Sequence, residues 1–177
     1  MAEISFNHDP PPGFQAYRDD LPTSVYYRNL PHWRQVGASY FVTFRLADSL
    51  PQGKLRELRV LKRDWKARNP PPRTEKDWEA LARMSLQQAE NWLDQGLGSC
   101  WLKRPNLAAL VVDSLMKFQA DRYDLGCFVV MPNHVHLVIR PLSNDPSALE
   151  KNLQNLKGYT SRKINEEIGT HGRVWQE

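Results

Sequence analysis

Two histidines, His134 and His136, have the spacing of a metal-binding pair. They belong to the run His-Val-His-Leu-Val-Ile, which predicts a strand, and residues two apart on a strand leave the same face. Two neighbouring imidazoles hold one divalent metal when a third ligand arrives from elsewhere in the chain. The alternative is that one or both rings only pack or form hydrogen bonds. Because the flanking residues are apolar, two titratable rings here need a partner that offsets their burial.

Other metal sites with closely spaced histidines do not fit this chain. A cupin-type site normally has a glutamate a few residues after the pair, and residues 137–141 contain no acid. A zincin HExxH motif is absent, and the two cysteines, Cys100 and Cys127, are too far apart for a zinc finger.

Tyr159, on the last predicted helix, is the second candidate for chemistry. It lies about a quarter-turn from the apolar stripe of that helix and next to a polar side. The stripe consists of Leu149, Leu153, Leu156, Thr160, Ile164 and Ile168. A phenol with a pKa of about 10 is a poor nucleophile unless it is activated, and a metal that polarises and orients a phosphate would help it. The resulting phosphotyrosine ester could be resealed without ATP; the alternative is a tyrosine that only marks the edge of an amphipathic helix.

Three strands are predicted from β-branched and aromatic runs, over residues 39–46, 127–131 and 134–140. The last two are joined by Pro132-Asn133 and form an antiparallel hairpin. Residues 1–37, with prolines at 10–12, are predicted to be an irregular surface arm. We place a single domain over residues 38–177.

Helices are predicted between these strands and after them. Leu55, Leu58 and Leu61 have helical spacing, and prolines 70–72 end that helix. Further helices start at three predicted caps, namely Thr74 (running to about Gly96), Asn106 and Asp145-Pro146 (running to Gly169). Residues of about 52–98 thus form a helical insertion after the first strand. The element order favours the α+β class, with helices on one face of a small antiparallel sheet.

Composition narrows the function classes. The chain has 177 residues, with 41% hydrophobic and 25% charged residues, which excludes wholesale disorder, a collagen-like repeat and a disulfide scaffold. It has neither an apolar run long enough to span a bilayer nor the pattern of a signal peptide, and two cysteines favour reduced thiols in the cytosol. A net charge of +4 fits a polyanionic partner. The cation-rich segment 54–73 is either a solvated helix face or a phosphate-contacting surface.

Several separated motifs, taken in order, resemble the REP-associated tyrosine transposases of the single-tyrosine HUH transposase superfamily. The most specific are MPNHVHLV at 131–138, LKGYTSRKIN at 156–165 and GRVWQ at 172–176. NLPHW at 29–33 and YFVTFRL at 40–46 are similar to the start of that domain, so the resemblance covers roughly residues 25–177.

The resemblance implies a ferredoxin-like antiparallel sheet, His134 and His136 as ligands of Mg²⁺ or Mn²⁺, and Tyr159 as nucleophile. It implies cleavage of single-stranded DNA beside a palindromic hairpin, through a 5′-phosphotyrosine and a free 3′-hydroxyl, followed by rejoining. It also implies a cytoplasmic bacterial protein that acts at the nucleoid. Relatives often supply a third ligand one turn after the tyrosine, where this chain has Lys163. Glu166, or else Asn165, is the substitute.

DNA-backbone contacts near the cleavage point are expected from Arg140, Lys157, Arg162 and Lys163. The alternative function is a non-catalytic module that binds hairpin DNA and retains the fold, which the replacement at Lys163 favours. A metal-dependent nuclease that uses water is a third hypothesis, for which no obvious base is present. The sequence leaves open whether the protein acts as a monomer or a homodimer.

Overall fold

The computed structural model describes residues 13–18, 20–27 and 31–176. Within these ranges the chain has the α+β architecture that the sequence predicts. The elements in chain order are β1 (Ser24–Tyr27), β2 (Pro31–Arg34), β3 (Tyr40–Arg45), α1 (Gln52–Arg68), α2 (Glu75–Leu93), a short 3₁₀ helix (Trp101–Lys103), α3 (Pro105–Met116), β4 (Tyr123–Val130), β5 (His134–Pro141) and α4 (Ala148–Ile168).

The strand with the paired histidines, β5, is the centre of a three-stranded antiparallel sheet ordered β3-β5-β4. Thr43 on β3 and Val129 on β4 are the Cα partners of His136, so their side chains share its face. The pairing of β4 with β5 shifts register between Leu125 and Phe128. Such a shift marks a bulge, which accommodates extra residues on one strand.

The other face of β5 builds the hydrophobic core. Val135, Leu137 and Ile139 alternate with the histidines and are at most 1% exposed. They share one apolar cluster with the buried faces of α3 and α4, which contribute Leu107, Val111, Leu115, Leu149, Leu156 and Ile164. The helices α3 and α4 therefore cover a single face of the sheet, as predicted, and the histidines leave the opposite face.

The insertion after β3 is a helical hairpin with a small cluster of its own. Leu50, Trp92 and Leu93 are buried, and apolar residues of α1 pack against them. The predicted cap of α2 is confirmed, because Thr74 Oγ1 accepts from the Asp77 N–H at 3.3 Å while the Asp77 carboxylate accepts from the Thr74 N–H at 2.8 Å.

Two other predicted caps were wrong. Pro105 occupies the first turn of α3, so the cap is Arg104 and Asn106 lies inside the helix. Helix α4 starts after Ser147 rather than at Asp145, because the Asp145 carboxylate accepts from the Ser147 N–H at 2.8 Å and forms a turn before the helix. The predicted end is confirmed, with Gly169 left-handed at φ 67°.

Predicted boundaries also differ at the strands. Strand β4 starts at Tyr123, four residues earlier than predicted, and the connection to β5 comprises the three residues 131–133, closed by the Met131 N–H donating to the His134 carbonyl at 2.9 Å. The prediction of an irregular segment 1–37 was wrong for β1 and β2, which form an antiparallel hairpin. The proline run 10–12 and part of the NLPHW motif lie outside the described residues.

Candidate metal centre and active site

The two imidazoles of β5 meet through their Nε2 atoms, which are 2.8 Å apart. The rings are nearly perpendicular, with an interplanar angle of 82°. His134 is fully buried, whereas His136 is partly exposed. Strand alternation thus places the two nitrogens at a common point on the face opposite the hydrophobic core.

Asn133 determines which nitrogen of His134 carries the proton. Its amide NH₂ donates to the carbonyls of Leu93 and Leu97 at 3.2 and 3.0 Å, so its Oδ1 is left facing His134 Nδ1 at 2.7 Å. An amide oxygen only accepts, and Nδ1 therefore donates and Nε2 carries a lone pair. Burial, together with the neighbouring His136, lowers the pKa of His134 to about 4, which keeps the ring neutral near pH 7.

Thr43 and Glu90 hold His136 in a similar way. The Thr43 hydroxyl donates to Glu90 Oε1 at 3.2 Å and lies 2.8 Å from His136 Nδ1. In the tautomer in which this proton goes to the carboxylate, Thr43 accepts from Nδ1 and the His136 Nε2 also presents a lone pair. Glu90 Oε2 lies 3.3 Å from that Nε2.

Three electron-rich atoms therefore converge, from Glu90, His134 and His136, and all lie within 4.8 Å of one another. With both Nε2 atoms unprotonated, such a group needs a cation between its members, either a shared proton or a metal ion. Ligand histidines characteristically donate their second N–H to an oxygen, as both do here. The residues present thus fit a divalent metal.

The predicted ligand Glu166 is placed elsewhere. It lies on α4, exposed, and accepts from Lys163 Nζ at 2.7 Å. This contact raises the pKa of Lys163 above its ordinary value, so Lys163 stays charged and offers no lone pair. Asn165 donates to the Gly172 carbonyl at 2.9 Å.

Sequence reasoning missed Glu90 because α2 is remote from β5 along the chain. A signal does exist: Glu90 lies between Leu86 and Leu93, at i−4 and i+3, where an apolar residue would continue that side of the helix. An acid in such a position is a candidate for a specific polar contact.

Tyr159 lies on the core side of the sheet. Its neighbours on α4, Leu156 and Thr160, are buried, and the Trp175 Nε1–H donates to the Thr160 hydroxyl at 2.8 Å. Tyr159 itself is 39% exposed, and Lys117 Nζ lies 5.9 Å from its ring centroid. Because α4 packs on the face opposite the histidines, the sheet separates this phenol from the imidazoles of the same chain.

The four predicted DNA-contacting cations differ in their surroundings. Arg140 shares the face of the histidines and pairs with Asp124. Lys157 donates to the Gln176 carbonyl. Arg162 and Lys163 are exposed on α4 near Tyr159.

A family model described as "Transposase IS200 like" matches residues 112–177. This segment is a little over a third of the chain and contains His134, His136 and Tyr159, but not Glu90. No curated protein and no solved structure matches the chain. The match supports transposase-type processing of DNA, with DNA as partner. None of the helices in the described ranges combines the length and apolar character needed to cross a bilayer.

Proposed function

We propose that this protein nicks and rejoins single-stranded DNA beside a hairpin, with Tyr159 as the nucleophile and Glu90, His134 and His136 as metal ligands. The observation behind the proposal is the convergence of three ligand atoms, from His134 and His136 on the central strand of the segment similar to IS200-like transposases and from Glu90 on α2. The tyrosine expected from the sequence lies in the same matched segment.

The ligand group favours Mn²⁺ over Mg²⁺, since Mg²⁺ prefers oxygen ligands and two of the three ligands here are imidazoles. When bound, the ion would polarise a phosphoryl oxygen and orient the scissile phosphate. Asn133 and Thr43 hold the two rings so that both Nε2 lone pairs face the site.

The chemistry assigned to Tyr159 is a transesterification. Its phenol oxygen forms a bond to phosphorus, the bond from phosphorus to the 3′-oxygen breaks, and a proton lost by the phenol is balanced by one gained at the 3′-oxygen. One phosphodiester replaces another, so the reverse reaction reseals the strand without a nucleotide cofactor.

This reaction requires the phenol to reach the face of the histidines. Either α4 moves within one chain, or Tyr159 of one copy serves the metal centre of another. Mixing two variants distinguishes these routes. When Tyr159→Phe is mixed with a larger tagged His136→Ala protein, an adduct on the tagged chain shows that the phenol is supplied by a second copy. Absence of that adduct, while the wild type reacts, shows that α4 moves.

The direct test is adduct formation on a hairpin-bearing single-stranded oligonucleotide with Mn²⁺. We expect an SDS-resistant adduct that Tyr159→Phe abolishes and that His136→Ala and Glu90→Gln greatly reduce. Tyr17→Phe is the matched control, because Tyr17 is also an exposed phenol. An adduct that persists in Tyr159→Phe, at an unchanged melting temperature, would reassign the nucleophile.

The separation of Tyr159 from the imidazoles favours a second candidate, a hairpin-binding module without chemistry. It predicts salt-dependent binding of the same oligonucleotide, unchanged by EDTA, and no adduct with any divalent metal. Cleavage that continues in Tyr159→Phe without an adduct would indicate attack by water instead.

A further inference from the structure

The open face of the sheet carries an exposed aromatic residue beside the candidate metal centre. Phe41, on β3, is 64% exposed. Its ring stacks on His136, with centroids 5.5 Å apart and an interplanar angle of 18°. One side of the phenyl ring therefore covers an imidazole. The rest of this flat apolar ring stays exposed beside the candidate ligands.

An apolar cleft continues from Phe41 along the same face. Phe41 is the Cα partner of Val138, and Val138 lines a cleft of about 290 Å³. The lining also includes Phe14, Ser39, Gly126 and Cys127. A side chain at position 126 would clash, since its Cβ would lie 2.9 Å from Phe14 Cζ, so glycine lets Phe14 lie close to β4.

From these contacts we infer that Phe41 is a stacking platform for an unpaired base, and that the cleft from Val138 to Phe14 holds the next base of the same strand. This rests on the proposed function and adds the part of the surface that grips single-stranded DNA. We call this surface, formed by Phe41, Val138, Cys127 and Phe14, the base track.

Three properties favour an unpaired nucleotide as the occupant. Phe41, the first residue of the track, stacks on His136, so a strand whose phosphate is held at the ligand group has its adjoining bases next to Phe41. Every unstacked base exposes a flat π-face, and aromatic side chains bind such faces with little sequence preference. The backbone stays negatively charged, which suits a chain with a net charge of +4.

The test measures binding rather than cleavage, in EDTA, with a short fluorescent oligodeoxynucleotide that cannot pair with itself. Stacking on one aromatic side chain corresponds to a change in affinity of about 5- to 150-fold. Phe41→Ala should weaken binding within that range, and Phe41→Trp should retain it. Met116→Ala is the matched control, because Met116 is a half-exposed apolar residue on α3, on the other side of the sheet.

A natural thiol provides a second, independent measurement. Cys127 is exposed in the track and Cys100 is buried, so a maleimide should modify Cys127 first. The oligonucleotide should slow this modification in the wild type and much less in Phe41→Ala. These outcomes support the base track even if no adduct ever forms.

Equal affinity of Phe41→Ala and wild type, with no protection of Cys127, would overturn the base track. The proposed function would still hold in that case if the wild type forms the adduct and Tyr159→Phe does not. Loss of the adduct in Tyr159→Phe, by contrast, says nothing about binding in EDTA. The two proposals therefore fail on different measurements.

Discussion

The two faces of strand β5 carry different side chains and make different kinds of contact. Val135, Leu137 and Ile139 on one face are at most 1% exposed and pack under α3 and α4. His134 and His136 on the other face lie close to Glu90 of α2, and this face is partly exposed to solvent. The core face stabilises the fold through dense apolar packing. The capacity of the other face to hold a metal ion depends on the positions of a few polar atoms.

Stability and chemistry can therefore be perturbed separately in this sheet. A core substitution leaves a cavity beneath the strand, whereas a substitution on the polar face removes lone pairs and hydrogen bonds. The difference between the faces also explains the position of Tyr159. The apolar stripe of α4 packs against the core face, so the helix that carries Tyr159 lies across the sheet from the imidazoles.

Leu137→Ala should reduce the free energy of unfolding by about 3 kcal/mol, because it leaves a cavity under a fully buried side chain. Val138→Ala, the next residue on the strand, should cost less than about 1 kcal/mol because its side chain is only partly buried on the open face. Urea denaturation of both variants measures this contrast. Equal losses would contradict the assignment of the two faces.

Acid should destabilise the protein through His134. Its pKa is about 4 in the folded chain and 6.5 ordinarily, so the unfolded chain binds more protons between these values. The contribution is fully present above pH 6.5 and is lost as pH falls towards 4, by up to about 3 kcal/mol. Urea denaturation in EDTA across this range measures the slope, and His134→Gln should flatten it. A slope that stays the same in that variant would assign the acid sensitivity to other groups.

Asn133→Ala should reduce the free energy of unfolding by about 2 kcal/mol, because the Leu93 carbonyl at the end of α2 and the Leu97 carbonyl in the following loop lose their donor. It should also weaken Mn²⁺ binding by about 10- to 100-fold, since His134 loses the oxygen that orients its ring. Calorimetric titration with Mn²⁺ measures the second effect. Asn91→Ala, an exposed amide two residues before Leu93, is the control. Unchanged Mn²⁺ affinity in Asn133→Ala would show that the ring needs no such support.

Glu90→Gln should change the free energy of unfolding by less than about 1 kcal/mol, because its side chain is partly exposed. It should nevertheless weaken Mn²⁺ binding by more than about tenfold. Glu166→Gln should leave Mn²⁺ affinity unchanged, because that carboxylate pairs with Lys163. A loss of Mn²⁺ affinity in Glu166→Gln but not in Glu90→Gln would instead assign Glu166 as the third ligand, as the sequence predicted.

The local features were largely predictable. The run from His134 to Arg140 is rich in β-branched residues and forms a strand as predicted, and Gly169 ends α4 as expected. The prediction of Asn106 as a cap was wrong because Pro105, which is preferred in the first turn, starts the helix two residues earlier than that cap would. These features depend on residues that are neighbours along the chain, so periodicity and turn-forming residues in the sequence predict them.

The amino-acid sequence by itself determined that His134 and His136 share one face of a strand and that Tyr159 borders the apolar stripe of the last helix. Only the tertiary structure decided that Glu90 completes the ligand group and that the sheet lies between the imidazoles and the phenol. The physical reason is that periodicity specifies which side of an element is buried, whereas the partner of that side depends on how distant elements pack.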